Sequence, residues 1–378
     1  MKRISILVLI LCVCFVSVAW GEQQACTAYT PWAQFHKLNM RRWNRCEKVL
    51  GVNNVGRLGL KWSYSAGSQL DSSPAVVSGV VFFGSFFGNV YALKAKTGGL
   101  LWSYTTGGYV DSSPAVANGV VYVGSEDHNV YALNASTGAK LWNYTTGGIV
   151  DSSPAVANGV VYVGSEDNNV YALNARTGAK LWNYTTGFGV YSSPAVANGV
   201  VYVGSGDNNV YALKASTGAL LWSYATSSGV DSSPAVANGV VYVGSFLYNV
   251  YALNASTGAL LWSYTTGADV TSSPAVANGV VYVGSWDDNL YALNASTGAL
   301  LWSYATGAPV LSSPAIANGV VYVGSDYPDD KVYALNAKTG ALLWSYTTGT
   351  VEYSSPAVSN GVVYLGSYDH NLYAFGLK

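Results

Sequence analysis

The chain is poor in the residues that form most active sites and metal centres. Its 378 residues include 3 His, 4 Cys and 2 Met, and only 10% are charged, against roughly a quarter in an average soluble domain. So few histidines and cysteines leave little material for a His-based catalytic site or a metal cluster. The 18 basic residues are balanced by 19 acids, so we expect no nucleic-acid binding, which needs a basic excess.

Long apolar runs are also missing, except at the N-terminus. Lys2 and Arg3 precede an apolar run over residues 4–20, and Ala19-Trp20-Gly21 has the small-residue pattern of a cleavage site. We therefore predict a signal peptide over residues 1–21 and an exported protein, located in the periplasm, on the cell surface or outside the cell. The length of the run leaves an uncleaved membrane anchor as an alternative. No later segment is apolar for long enough to span a bilayer.

The cysteines agree with export. Cys12 and Cys14 lie in the predicted signal peptide, which leaves Cys26 and Cys46 as the only pair in the mature chain. In an oxidising compartment such a pair favours a disulfide. We expect that disulfide within an N-terminal segment of residues 22–59.

An internal repeat organises the chain from residue 60 to residue 378. A tryptophan and a Ser-Ser-Pro tripeptide recur together every 40 residues, with one interval of 42. A fixed period of this length is typical of propellers and solenoids. The tryptophans are Trp62, Trp102, Trp142, Trp182, Trp222, Trp262, Trp302 and Trp344.

Each repeat predicts four short strands and has no room for a helix. In one copy, Asn118-Gly119 is a hairpin turn signal, and residues 120–123 and 129–134 are rich in β-formers. Eight copies give an all-β chain of eight four-stranded antiparallel blades. The strand at residues 60–64 precedes the first full copy, and the last copy lacks its fourth strand. We therefore predict an eight-bladed β-propeller that the N-terminal strand closes by completing the last blade.

The turn between strands three and four carries a family resemblance. Ala132-Leu-Asn-Ala-Ser-Thr-Gly-Ala-Lys-Leu-Trp142 resembles the tryptophan-docking motif of the PQQ-like, or quinoprotein-type, β-propeller repeat proteins. The resemblance covers roughly residues 32–378. It implies that each tryptophan packs against the neighbouring blade, which is a structural role, and it identifies the fold better than the function.

The resemblance brings two functional alternatives with it. Quinoprotein alcohol dehydrogenases use PQQ with calcium, but they are longer and have a disulfide between adjacent cysteines, whereas this propeller contains no cysteine. BamB-type envelope assembly factors are lipoproteins, and the residues before Cys26 do not resemble a lipoprotein signal. We therefore expect no catalytic residue and no bound cofactor, and a monomeric, exported, non-catalytic binding or scaffolding propeller. A PQQ- and calcium-dependent oxidoreductase and a BamB-like assembly factor remain the alternatives.

The copies differ mainly on one side of the predicted disc. The loops between strands two and three and the connections between blades open on this side, which we call the top face; the conserved turns form the bottom face. The top loops hold 17 acids and one basic residue, Lys331. Basic residues near the bottom turns are Lys94, Lys96, Lys140, Arg176, Lys180, Lys214 and Lys338.

We predict that the top face binds a cationic ligand, either a divalent ion or a basic protein or peptide. Carboxylates at the mouth of a central channel would suit Ca²⁺. The alternatives are loop drift without function and, for the aspartates before Ser-Ser-Pro, local hydrogen bonds from the serine backbone. The candidate ligand-binding residues are Asp71, Asp111, Asp151, Asp231, Phe86, Phe87, Tyr109, Glu126, Asp127, Glu166, Asp167, Phe188, Tyr191, Tyr248, Trp286, Asp287, Tyr327, Tyr353 and Tyr368.

Overall fold

The fold is an eight-bladed β-propeller, as the repeat predicts. The computed structural model describes residues 32–35 and 41–378, so the predicted signal peptide and Cys26 lie outside the described residues. Within those ranges the secondary structure consists of strands and one 3₁₀ turn, Val55–Arg57. Cys46 is disulfide-bonded, and its pairing with Cys26 stays a prediction.

Each blade is a four-stranded antiparallel sheet, and in blades one to seven the strands follow chain order from the central channel outward. Blade one is Ala75–Val77, Val80–Gly84, Asn89–Lys94 and Leu100–Thr105; blade two is Ala115–Ala117, Val120–Gly124, Asn129–Asn134 and Lys140–Thr145; blade three is Ala155–Ala157, Val160–Gly164, Asn169–Asn174 and Lys180–Thr185; blade four is Ala195–Ala197, Val200–Gly204, Asn209–Lys214 and Leu220–Ala225.

The second half of the ring repeats this pattern. Blade five is Ala235–Ala237, Val240–Gly244, Asn249–Asn254 and Leu260–Thr265; blade six is Ala275–Ala277, Val280–Gly284, Asn289–Asn294 and Leu300–Ala305; blade seven is Ala315–Ala317, Val320–Gly324, Lys331–Asn336 and Leu342–Thr347; blade eight is Ala357–Ser359, Val362–Gly366, Asn371–Leu377 and Leu58–Ser65.

The predicted closure is confirmed. Leu58–Ser65 pairs antiparallel with Asn371–Leu377, the last strand of the chain. Blade eight therefore takes its outermost strand from the N-terminal side of the sequence. This arrangement covers an edge of Asn371–Leu377 that would otherwise be free to pair with another chain.

Local sequence explains the blade geometry. Asn118 and Gly119 have φ values of 50° and 77°, which the type I′ hairpin turn between strands one and two requires. Val121 and Val123 are wholly buried because neighbouring blades cover both faces of each sheet. Gly124 ends its strand where an added Cβ would come within 2.3 Å of the carbonyl oxygen of Val150.

The tryptophans join successive blades. The indole N–H of Trp182, in blade three, donates to the carbonyl of Ala215 in blade four at 2.9 Å. A Cβ on Gly218 would come within 2.6 Å of the Trp182 ring, so only glycine allows this contact. The same indole bond recurs at all eight positions, and in the last of them Trp344 donates to Leu58.

The N-terminal segment fills the bottom end of the channel, which sequence reasoning did not predict. Residues 32–35 and 41–44, here called the plug, bond to the free edges of the innermost strands. The N–H of Val116 donates to Ala33 at 2.7 Å, and the N–H of Ile316 donates to Arg42 at 2.9 Å. Trp43–Asn44 pairs in parallel with Ala315–Ala317. The plug therefore bonds to blades two and seven, which lie three blades apart in the ring.

Arg42 anchors the plug. Its side chain is wholly buried and donates to the carbonyls of Pro314 at 2.9 Å, Pro356 at 3.1 Å and Phe35 at 2.6 Å. Its guanidinium also lies over the ring of Trp32, 5.5 Å from the centroid. Burial lowers the pKa of Arg42 to about 9, because the charged guanidinium is removed from water.

Candidate functional site on the top face

Hydrogen bonds confirm which loops share a face. The N–H of Ala135 donates to Gly119 at 2.9 Å and joins the two bottom turns of blade two. On the opposite side, the N–H of Glu126 donates to Tyr109 at 2.9 Å. This bond joins the loop between strands two and three to the connection before the same blade. Both kinds of variable loop therefore lie on the top face.

Two rings of serines hold the top end of the channel. Ser113 Oγ accepts the N–H of Ser73, one blade earlier, at 2.9 Å, and this bond recurs in all eight blades. Ser72 Oγ donates to the carbonyl of Ser112 at 3.0 Å and accepts the N–H of Gly84 at 2.9 Å. The residue before each serine pair is therefore held at the mouth of the channel.

Three aspartates occupy that position in consecutive blades: Asp71, Asp111 and Asp151, here called the aspartate arc. Their Oδ1 atoms are buried, and none has a hydrogen-bond partner within the described part of the chain. The alternative of local hydrogen bonds from the serine backbone is therefore not observed at these atoms. Asp231 holds the same position in blade five, apart from the arc.

The arc concentrates like charges in a poorly solvated place. Burial first, and the neighbouring carboxylates after it, raise the pKa of Asp71, Asp111 and Asp151 to about 7 each, although a hydrogen bond from Tyr368 opposes the shift at Asp71. Burial alone raises the pKa of Asp231 to about 6. The arc therefore holds protons near neutral pH that a bound cation would displace.

Glu126 and Glu166 extend the arc outward. Carboxylate oxygens of Asp111, Glu126 and Asp151 lie within 4.8 Å of one another, a spacing that a calcium ion could bridge. Glu166 interacts electrostatically with both Asp151 and Glu126. Burial raises the pKa of Glu126, and the charge of Glu166 raises it further.

Aromatic side chains flank the arc. Phe86 stacks on Tyr109 with ring centroids 3.9 Å apart, next to Asp111. Phe87 is 67% exposed and lines an open cleft of about 300 Å³ with residues 106–109. These rings place an exposed apolar surface beside the acids.

Tyrosines mark both ends of the arc. The hydroxyl of Tyr368 donates to Asp71 Oδ2 at 3.1 Å. Burial, and then the charges of Glu352 and Asp71, raise the pKa of Tyr353 to about 12. At the other end, burial raises the pKa of Tyr191, and Glu166, Asp231 and Asp151 raise it further. The arc and its rim thus run from blade eight to blade four.

The other predicted aromatics lie elsewhere on the top face. Phe188, Tyr248, Trp286 and Tyr327 are all exposed, and they belong to the loops of blades four to seven. The Trp286 indole N–H donates to Thr271 at 3.0 Å. The structure does not bring these side chains together with the aspartate arc.

Asp127, Asp167 and Asp287 have carboxylates that already accept hydrogen bonds from neighbouring residues. Asp127 Oδ2 accepts the Tyr131 hydroxyl at 2.5 Å and the N–H of Gly107 at 2.7 Å, while Oδ1 accepts the N–H of Asn129 at 3.1 Å. Burial opposes ionisation of Asp127, but these hydrogen bonds hold its pKa below its usual value. Asp167 and Asp287 accept the same three hydrogen bonds from the equivalent residues. We therefore leave all three out of the proposed site.

The sidedness of charge predicted from the sequence is present in the structure. Lys331, the one basic residue among the top loops, forms an ion pair with Asp329 at 2.6 Å. The positive charge of Lys331 is therefore balanced by Asp329. Nothing basic on the described top face is left to neutralise the aspartate arc.

The fold is shared with several solved structures. BamB from Moraxella catarrhalis matches with a TM-score of 0.72 and 22% identity, covering 84% of this chain and 99% of that one. A europium-containing methanol dehydrogenase matches with a TM-score of 0.77 and 16% identity, covering 92% and 98%. The computationally designed Ika8 protein gives 0.75 and 19%, covering 82% and 97%. At these identities the likeness shows the fold alone.

Sequence comparison defines the family. No curated protein matches the chain, and the described residues include no helix of sufficient length and apolarity to cross a membrane. A family model described as "Outer membrane protein assembly factor BamB" matches residues 52–192, 185–268 and 248–378. The chain therefore belongs to this BamB family of PQQ-like propeller proteins.

Proposed function

We propose that this protein is an exported, non-catalytic propeller that binds a basic segment of a partner protein on its top face. The aspartate arc carries the proposal, because three of its buried carboxylate oxygens have no hydrogen-bond partner among the described residues. Groups of this kind are costly unless a cation or a donor meets them. Lysine and arginine side chains supply both a positive charge and hydrogen-bond donors.

The aromatic rim supports a peptide rather than a single ion. Phe87 and Tyr109 are 67% and 40% exposed, and Tyr353 is exposed at the other end of the arc. Rings of this kind pack against the aliphatic stems of basic side chains and attract their charged ends. A row of acids with aromatics at both ends fits an extended basic segment.

A role as a BamB-like assembly factor is a second form of the same proposal. The family match supports it, since a protein described as an assembly factor acts through protein contacts. On this view the basic segment belongs to an envelope protein.

A PQQ-dependent oxidoreductase fits the site poorly. Pyrroloquinoline quinone carries carboxylates, so it needs basic partners or metal ions around it. The aspartate arc would repel such an anion, and Lys331 is already paired with Asp329. The propeller also has no cysteine for the disulfide of the quinoprotein dehydrogenases. An absorbance titration with PQQ and calcium tests this alternative.

Calorimetry at low salt tests the proposal. An oligolysine peptide should bind the full chain, and added salt should weaken the binding because exposed charges are screened. The variant Asp71→Asn/Asp111→Asn/Asp151→Asn should lose at least about tenfold in affinity, as expected for loss of charged hydrogen-bond partners. Asp288→Asn is the matched control, because Asp288 is exposed and Asn208 holds the equivalent exposed position in blade four.

The same calorimetry with calcium in place of oligolysine distinguishes a metal site from a peptide site. If calcium binds to the arc and oligolysine does not, the arc is a metal site and the peptide proposal is wrong. Unchanged peptide affinity in the triple variant would place the binding surface elsewhere.

A further inference from the structure

The bottom face carries the opposite charge to the top face. Across residues 32–35 and 41–378, the only acid on that side is Glu47, which is buried. Its Oε1 accepts the N–H of Val49 at 2.7 Å and its Oε2 the N–H of Gly361 at 3.1 Å. The exposed basic residues there are Arg45, Lys48, Arg57, Lys61, Lys94, Lys96, Lys140, Arg176, Lys180, Lys214, Lys338 and Lys378.

Exposed leucines lie at the outer rim of the same face. Each outermost strand starts at a bottom turn and contains a bulge, as between Lys180 and Trp182, where Leu181 is the extra residue. The side chain of Leu181 is 52% exposed, and its equivalents Leu221 and Leu261 are each 50% exposed. The rim thus combines apolar side chains with neighbouring lysines. Further exposed leucines at these strand starts are Leu100, Leu101, Leu141, Leu220, Leu260, Leu300, Leu301 and Leu342.

We propose that the bottom face docks onto an anionic phospholipid bilayer. Lysine and arginine side chains meet the negative headgroups, and the rim leucines enter the boundary between headgroups and acyl chains. This combination suits a lipid surface, which offers dispersed negative charge and an apolar layer just below it.

The course of the chain supports a bilayer over other occupants. The described chain starts at Trp32, which pairs with Val76 at the bottom of the channel. Under the alternative of an uncleaved membrane anchor, the apolar run of residues 4–20 precedes a segment that already lies on this side. Docking by the bottom face would leave the aspartate arc facing away from the bilayer, and it does not depend on the proposed function of the top face.

Vesicle flotation with the full chain tests the proposal. The wild type should bind vesicles that contain phosphatidylglycerol more tightly than pure phosphatidylcholine vesicles, and high salt should reduce the difference. Each basic residue near an anionic surface strengthens binding by roughly fivefold. The variant Lys94→Gln/Lys96→Gln/Lys140→Gln/Arg176→Gln/Lys180→Gln/Lys214→Gln should therefore lose at least about tenfold on anionic vesicles. Because it keeps residues 1–31, its binding to neutral vesicles should equal that of the wild type.

Two further variants sharpen the test. Leu181→Ser/Leu221→Ser/Leu261→Ser should weaken binding without changing its salt dependence, since these exposed side chains act by apolar burial. Asp71→Asn/Asp111→Asn/Asp151→Asn should bind vesicles as the wild type does. A failure of the vesicle-docking inference is thereby distinguished from a failure of the proposed peptide binding at the top face.

Two results would overturn the inference. One is equal binding of the lysine variant and the wild type to anionic vesicles. The other is salt-sensitive self-association in sedimentation velocity, without vesicle binding, which would assign the basic face to the acidic top face of a second copy.

Discussion

Ser73 Oγ accepts the backbone N–H of Ser355 at 2.9 Å, across 282 residues of sequence. This bond joins the first blade to the last and closes the ring formed by the second serine of each Ser-Ser-Pro tripeptide. The N-terminal strand Leu58–Ser65 completes the same last blade at its outer edge. The N-terminal strand therefore matters for the whole propeller.

Deleting residues 1–66 tests the closure. The deletion removes the plug and Leu58–Ser65, and it exposes the edge of Asn371–Leu377. We expect aggregation or a large loss of thermal stability, because a free strand edge pairs with other chains. Deletion of residues 1–21 is the control, since it keeps the plug, Leu58–Ser65 and Cys26. A monomeric 1–66 deletion with an unchanged melting temperature would contradict the closure.

Trp182 and Trp286 should differ strongly in their contribution to stability. Trp182 is buried and donates to Ala215, so Trp182→Ala should cost about 3–5 kcal/mol, as for other buried aromatics. Trp286 is 41% exposed, and Trp286→Ala should change the free energy of unfolding by less than about 1 kcal/mol. Denaturant titration measures both. Equal losses would show that the division into buried and surface tryptophans is wrong.

Arg42→Ala should destabilise the protein by about 3 kcal/mol. The substitution leaves the carbonyls of Pro314 and Pro356 without their charged donor, and buried polar groups that lose a partner are costly. Arg45→Ala is the control, because Arg45 is an exposed neighbour. If the two variants unfold at the same denaturant concentration, Arg42 does not anchor the plug.

The aspartate arc should make the protein less stable as the pH rises. The pKa of each arc aspartate is about 7 in the folded state, against about 3.9 in an unfolded chain. Folding therefore favours the protonated form, and the cost of ionisation is absent below about pH 4 and complete above about pH 7. The triple Asn variant should exceed the wild type in melting temperature at about pH 8 by more than at about pH 5. Parallel pH curves for the two proteins would mean that these carboxyls ionise normally.

The repeat allowed the fold to be predicted, because each blade contains its own turn and strand signals. Asn118-Gly119 specifies a hairpin, and the missing fourth strand of the last copy specifies the closure. The plug could not be predicted. Its residues lie outside the repeat, and most of its bonds involve the backbone, which carries no sequence pattern. A buried Arg42 with carbonyl partners looks like any surface arginine in the sequence.

The site could be predicted only in part. Asp111 and Asp127 are both acids in top loops, and the sequence pattern makes them equally good candidates for ligand binding. The structure separates them, because Gly107, Asn129 and Tyr131 donate hydrogen bonds to Asp127, whereas no described residue donates to Asp111 Oδ1. The recurring Asp-x-Asn-x-Tyr pattern was the signal that could have identified the internal network.

Hydrogen exchange with and without oligolysine tests the central claim most directly. The account predicts added protection, on peptide binding, in the backbone around Asp111, Asp151 and Glu126 and in residues 350–353. The turns of the bottom face should exchange as before. Protection confined to the bottom turns, or to the loops of blades four to seven, would contradict a binding site at the aspartate arc.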